Sequence, residues 1–231
     1  MAFASEFLRY GGLVLQVAAL ILLVFGPLNR YFPLFLYLLS LVATTGAETW
    51  VIRSVGVSDN LYFNVYWGGE FLLDALMAFL VISLTSRGLE GTPMRSKTVS
   101  LLFAIVAVAV LVPFVAFDSD VFGRRWNQSV GQLLNFAVAL MNLVLWSSLL
   151  LARQKDRQLL TVSAGLGVMV AAAALTLGVR QFTNQGDVLR DIVDWVHRLS
   201  QCVGPAMWCW AFRVVKPRLT TPPVDATASA G

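Results

Sequence analysis

From Arg9 to Arg30 the chain runs for twenty residues without a charge, and comparable runs recur along its length. A bilayer core about 30 Å thick is crossed by about 20 apolar residues in a helix, so each run is long enough to span a membrane. The second run lies between Arg30 and Arg53, broken only by Glu48. The third lies between Asp59 and Arg87, broken only by Glu70 and Asp74. Uncharged stretches follow at 98–117, 126–152 and 158–179. A seventh is shorter, from Leu199 to Phe212, and as a span it must take in Arg198, His197 and Asp194. The fold expected is therefore all-α, a polytopic membrane protein of seven transmembrane helices. Its spans fall at about 10–29, 32–52, 61–84, 98–117, 127–151, 159–180 and 192–213. They form one bundle over 1–216, followed by a mobile, Pro- and Thr-containing cytoplasmic tail at 217–231.

Composition excludes the soluble alternatives. The chain is 58% hydrophobic and 13% charged, against roughly 45–50% and about 25% for a soluble domain. Two cysteines cannot build a disulfide scaffold. The net charge of +4 needs no nucleic acid, because cytoplasmic loops of membrane proteins collect Lys and Arg. Those basic residues set the direction of the bundle. With the N-terminus outside, the cytoplasmic loops receive Arg30, then Arg87, Arg95 and Lys97, then Arg153, Lys155 and Arg157, then Arg213, Lys216 and Arg218. The opposite side gathers Asp59, Asp118, Asp120, Asp187 and Asp191. The expected orientation is N-out, C-in, with the first apolar run acting as an uncleaved anchor. Fourteen arginines against three lysines fit a GC-rich bacterial genome and hence a bacterial inner membrane.

Ionisable and amide side chains inside spans are the informative residues, since each charge costs roughly 2.5–3.5 kcal/mol to insert and normally faces the bundle interior. Glu70 and Asp74 lie four apart on one face of the third span, near Tyr66 and Trp67. They sit about 13 and 20 Å below its outer boundary. The fifth span carries a stripe of Gln128, Gln132, Asn135, Ala139, Asn142 and Trp146 at three- and four-residue spacing. In the seventh, Asp194, His197, Arg198, Gln201, Pro205 and Trp208 share one broad face. The depths agree, so a common polar pocket between the third, fifth and seventh helices is expected. In it Glu70 and Asp74 are anionic anchors and Arg198 is the counter-ion paired with Glu70. His197 lies beside them, and Gln132, Asn135 and Gln201 orient a ligand. Glu48 and Arg180, near the outer ends of their spans, are expected at its rim. The same amides also suit plain interhelical hydrogen bonding.

Other chemistry is excluded on inventory. One histidine and two cysteines do not make a zinc site. Cys202 and Cys209 are seven apart on a helix, about 10 Å along its axis, too far for a disulfide. No lysine lies mid-way along the seventh span to hold retinal, and no Pro-Gln pair or Gly-x-Ser-x-Gly turn occurs. No metal and no cofactor is expected, and no enzymatic activity. Gly167 and Ala171, at small-xxx-small spacing, predict close packing of the sixth helix. Trp50, Tyr62, Trp67, Trp126 and Trp195 suit an interfacial belt.

The third span, LYFNVYWGGEFLLDALMAFLVISL, resembles the Tyr-Trp-x-x-Glu segment of a family of seven-helix membrane proteins of acidobacteria. The similarity extends through the basic loop at 153–157 and the GLGVMV of the sixth helix. The resemblance implies the seven-helix fold and brings no established activity; it adds emphasis to Tyr66, Trp67 and Glu70. The function expected is that of a non-enzymatic receptor or sensor. An outward-facing pocket would bind a small molecule or lipid headgroup and signal to a membrane or cytoplasmic protein partner. A proton-coupled transporter titrating Asp74 and a structural membrane subunit are the alternatives. Besides that ligand and partner, the bilayer itself is the expected contact, and nucleic acid is not.

Overall fold

The computed structural model describes residues 2–56, 60–116, 124–151, 156–183 and 187–213. Among the described residues seven helices run in order: α1 (Ala2–Val24), α2 (Phe32–Ser54), α3 (Asn60–Gly88), α4 (Arg95–Ala116), α5 (Arg124–Leu151), α6 (Arg157–Phe182) and α7 (Val188–Arg213). No strand occurs among the described residues. Five of the helices, α2 to α6, are long and apolar enough to cross a membrane. The apolar part of α1, Tyr10–Val24, is shorter than those five. The helix stops there, five residues short of the expected boundary, because Gly26 and Pro27 open a turn. The expected tail at 217–231 lies outside the described residues, as do Asp59, Asp118, Asp120, Arg153, Lys155, Lys216 and Arg218.

The helices close into a ring. α1 packs on α2 and α7, α2 on α3, α4 on α3 and α5, α5 on α6, and α6 on α7. α3 has the most neighbours of the ring, touching α2, α4, α5 and α6. Half of its membrane-length window is buried within the protein, against 17% for α2 and α4. Burial of α3 is what allows it to carry two carboxyl groups.

One end of the bundle is solidly packed. Leu34 and Leu38 of α2, Leu80, Val81 and Leu84 of α3, Met141 and Leu145 of α5, and Leu166 of α6 form a buried apolar layer with Trp208 of α7. Tyr37 meets Trp208 edge-on at 6.4 Å, and Tyr31 meets Phe212 at 5.5 Å. Asp156 caps α6 here, one carboxylate oxygen accepting from the backbone N–H groups of Gln158 and Leu159. Its other oxygen accepts from Arg30, which ties the α1–α2 turn to the start of α6. Hydroxyls within the spans are satisfied locally: Thr45, Thr49, Thr85 and Thr176 each donate to the carbonyl four residues back. This removes orphan donors from a solvent that cannot receive them.

The tightest crossing joins α6 to α7. A Cβ at Gly165 would lie 2.9 Å from the Gly204 carbonyl oxygen, and one at Gly204 would lie 2.5 Å from Met169 Sδ. Above and below that crossing the two helices are stitched by side chains. The Trp208 indole donates to Val162 O at 3.0 Å, Thr176 reaches Val193 O at 3.2 Å, and Arg180 pairs with Asp194 at 2.9 Å. The expected packing role of Gly167 is met on α5, where its Cβ would collide with Asn142 and Trp146, whereas Ala171 is exposed. α7 closes the ring on α1 through Gly12, where a Cβ would sit 3.3 Å from Gln201 O. That carbonyl is the one Pro205, lacking an N–H, leaves without its helical donor. Cys202 and Cys209, both free, direct their thiols to Leu8 O and Leu15 O of α1. Trp126 does not join an interfacial belt: it is buried against Phe114, ring centroids 4.9 Å apart, in a cluster between α4 and α5.

Gly204→Val should cost about 1–3 kcal/mol through overpacking of the α6–α7 crossing. A Cβ at Gly178, on the same α6, meets nothing within 4 Å, so Gly178→Ala should stay within about 0.5 kcal/mol of wild type. Thermal unfolding of the purified protein measures both; equal shifts would contradict the crossing.

Candidate functional site

At the end opposite the packed layer the helices part. A cavity of about 410 Å³ lies between α3, α5 and α6, with the first turn of α7 at its edge. α3 contributes Tyr66, Trp67, Glu70, Phe71 and Asp74, and α5 contributes Asn127, Gly131, Gln132 and Asn135. Leu177 and Arg180 come from α6, and Arg190 from α7. The volume lies within the range of small-ligand sites, roughly 300–1,000 Å³.

Helical spacing explains the α3 wall: residues 67, 70, 71 and 74 fall on one face over two turns. Asp74 is the deepest of them and is buried. Its Oδ1 accepts from Asn135 Nδ2 at 3.0 Å, and the same amide donates to Gly131 O at 3.0 Å. Gly131 lies against the carboxylate: a Cβ there would make an ordinary contact with Asp74 Oδ2 at 3.7 Å. Glu70, one turn nearer the open end, makes no hydrogen bond or ion pair among the described residues. Tyr66 and Trp67 stand edge to face at 5.3 Å, and Tyr62 stacks on Tyr66 at 6.0 Å. An aromatic wall therefore continues from the carboxylates toward the bundle end.

The cationic side comes from α6 and α7. Arg180 holds Asp194 through Nε at 3.0 Å and Nη2 at 2.9 Å, so its charge is already matched. Arg190 faces the cavity and makes no ion pair among the described residues. One wall thus carries an unmatched carboxylate and another an unmatched guanidinium. They do not pair with each other.

Six residues expected at the site are brought together: Glu70, Asp74, Tyr66, Trp67, Gln132 and Asn135 all line the cavity. Arg180, expected at the rim, is also there. Four are not. Glu48 belongs to the α2–α3 seam, its Oε1 near 3.9 Å from where a Cβ on Gly69 would be. Arg198 is exposed and forms no ion pair with Glu70, because α7 packs on α6 and α1 rather than on α3. His197 is half-buried, with Nδ1 enclosed and lacking a hydrogen-bond partner among the described residues. Gln201 lies where α7 meets α1. Gln128 belongs to α5, its side chain outside the described set.

The expected pocket between α3, α5 and α7 is therefore replaced by one between α3, α5 and α6. Equal depth put the polar face of α7 level with Glu70. Depth does not say which neighbour a face meets, and here that neighbour is α6 and α1. Arg190 and Asn127 were missed by sequence reasoning. Both lie in first turns, where a charged or amide residue reads as an ordinary helix end. No grouping of three His, Cys, Asp or Glu residues able to hold a metal occurs among the described residues. No family model, curated protein or solved structure matches the chain.

The Asp74–Asn135 bond joins α3 to α5, and its loss leaves a buried carboxylate without its donor. Asn135→Leu should destabilise the protein by about 1–2 kcal/mol. Asp74→Leu should relieve part of that loss in the double variant. A thermal double-mutant cycle measures the coupling, and strict additivity would show that the two side chains act independently.

Proposed function

We propose that this protein is a non-enzymatic seven-helix receptor or sensor of a bacterial inner membrane, N-terminus outside and C-terminus inside. It holds a small ligand or lipid headgroup in the cavity between α3, α5 and α6. The occupied state passes to a membrane or cytoplasmic partner chain through the packed end of the bundle. The observation that carries this reading is that Glu70 and Arg190 face one cavity without meeting and neither pairs with another charge among the described residues. A side chain kept only to glue helices would be expected to find a partner in a neighbouring helix. Asp74 and Asn135 are anchored by each other and give the cavity a fixed floor. Gln132 and the Tyr66–Trp67 pair supply hydrogen-bonding and aromatic surface, the latter suited to a cation.

A transport route has less support. Toward the other end, Asp74 is followed on α3 by buried Met77, Ala78, Leu80, Val81 and Leu84, packed against α5 and α6. Such a layer suits a site that opens to one side. The concentration of Arg30, Arg87, Arg95, Lys97, Arg157 and Arg213 at the packed end supports placing that end in the cytoplasm.

Ethanolamine and glycerophosphoethanolamine, two soluble amines, serve as probes of the cavity by thermal shift on the purified full chain. At saturating concentration at least one should raise the unfolding midpoint of wild type, as any ligand of the native state does. Glu70→Gln should abolish the rise while leaving the unliganded midpoint near that of wild type. A rise that persists undiminished in Glu70→Gln would remove the cavity from the binding reaction.

A further inference from the structure

A second depression, also about 410 Å³, lies on the outside of the α5–α6 seam. Leu133 and Phe136 of α5 form one bank, and Ala174, Leu177 and Gly178 of α6 form the other. Gln132, Asn135 and Leu177 line both this groove and the polar cavity, so the two adjoin across the seam with these three side chains as their common wall. The groove lies inside the membrane-length windows Ser129–Leu150 and Arg157–Arg180. Phe136 is largely exposed and Leu133 partly so. A charged chamber thus lies directly behind a strip of apolar surface at membrane depth, with Ala174 and Gly178 keeping the outer bank low.

We infer that the cavity takes the head of a zwitterionic phospholipid entering laterally between α5 and α6, with the amine at Glu70, the phosphate at Arg190 and one acyl chain in the groove. This deepens the binding reading above and rests on it. Three features select that occupant. Glu70 calls for a cation and Arg190 for an anion. Because they share a chamber without pairing, one molecule carrying both charges matches both. Arg180 adds no further demand, being neutralised by Asp194. A purely polar zwitterion would leave the groove unused. A chain attached to the head lies along Leu133, Phe136 and Ala174 with no polar group to desolvate. Gly178, where a Cβ would meet nothing within 4 Å, leaves the bank low at the point where the chain passes from chamber to groove.

The test compares three probes on full-length protein in a neutral maltoside detergent, by native mass spectrometry. They are palmitoyl lysophosphatidylethanolamine, its lysophosphatidylglycerol counterpart with an anionic head, and glycerophosphoethanolamine, which lacks the chain. Wild type should bind the first at least tenfold more tightly than either of the others. Gly178→Phe, which fills the groove, should bring it down to the affinity of glycerophosphoethanolamine. Ala174→Leu provides a second obstruction should the first variant not fold. Glu70→Gln should weaken it at least tenfold. If the chain-bearing and chain-less probes bind wild type equally, or the groove variants change nothing, the lateral lipid assignment falls and the cavity reading stands. If the two lysolipids bind equally, the zwitterionic head is the wrong choice. If no probe binds wild type, the cavity reading and the lipid assignment fail together.

Discussion

The seam between α6 and α7 decides where space is left in this bundle. Gly165 and Gly204 let the two backbones approach until a single Cβ would collide. Trp208, Thr176 and Arg180 then fix the pair along its length. Held against α7, α6 touches α3 only slightly, and α5 closes the other side. The gap that remains is the polar cavity. Small residues at a helix crossing gain close van der Waals contact, which in a lipid solvent replaces the hydrophobic drive that packs helices in water.

The economics of charge in a membrane explain why the site lies on α3. Two carboxyl groups one turn apart would each cost roughly 2.5–3.5 kcal/mol on a lipid-facing helix. α3 has four neighbours and turns Leu72 and Phe79 outward, so the carboxyl groups lie on the face that meets α5 and α6. Asp74 is settled by Asn135, while Glu70 has no hydrogen-bond or ion-pair partner among the described residues. On the opposite wall Arg180 is matched by Asp194, and Arg190 makes no ion pair among the described residues. A bundle that finds partners for Asp74 and Arg180 but leaves Glu70 and Arg190 facing an open chamber has the asymmetry that the proposed binding site requires. Where the packed layer begins, at Met77 and Leu80, α3 carries no further ionisable group until Arg87 in its last turn.

Helix number and approximate bounds were legible in the sequence because charge is so costly in lipid that it punctuates the chain. Glu70 and Asp74 were legible for the same reason, as exceptions inside a span. Gln132 and Asn135 followed from helical spacing and depth. The ring order was not legible. Arg198 and Gln201 have the depth of Glu70, but their azimuth is set by the Gly165–Gly204 crossing and by the carbonyl that Pro205 frees toward Gly12. Those are pairings between distant parts of the chain, and no local pattern contains them. Arg190 was hidden differently: a charge three residues into a helix looks like an end anchor until the neighbouring helix shows what it faces.

A high-resolution electron cryo-microscopy map of the full chain in nanodiscs of its own extracted lipid tests the central claim most directly. The expected map keeps α3 and α6 apart at the level of Glu70, with density in the chamber contacting the Glu70 carboxylate and the Arg190 guanidinium. A map in which α6 lies against α3, Glu70 pairs directly with an arginine and no chamber remains would contradict it.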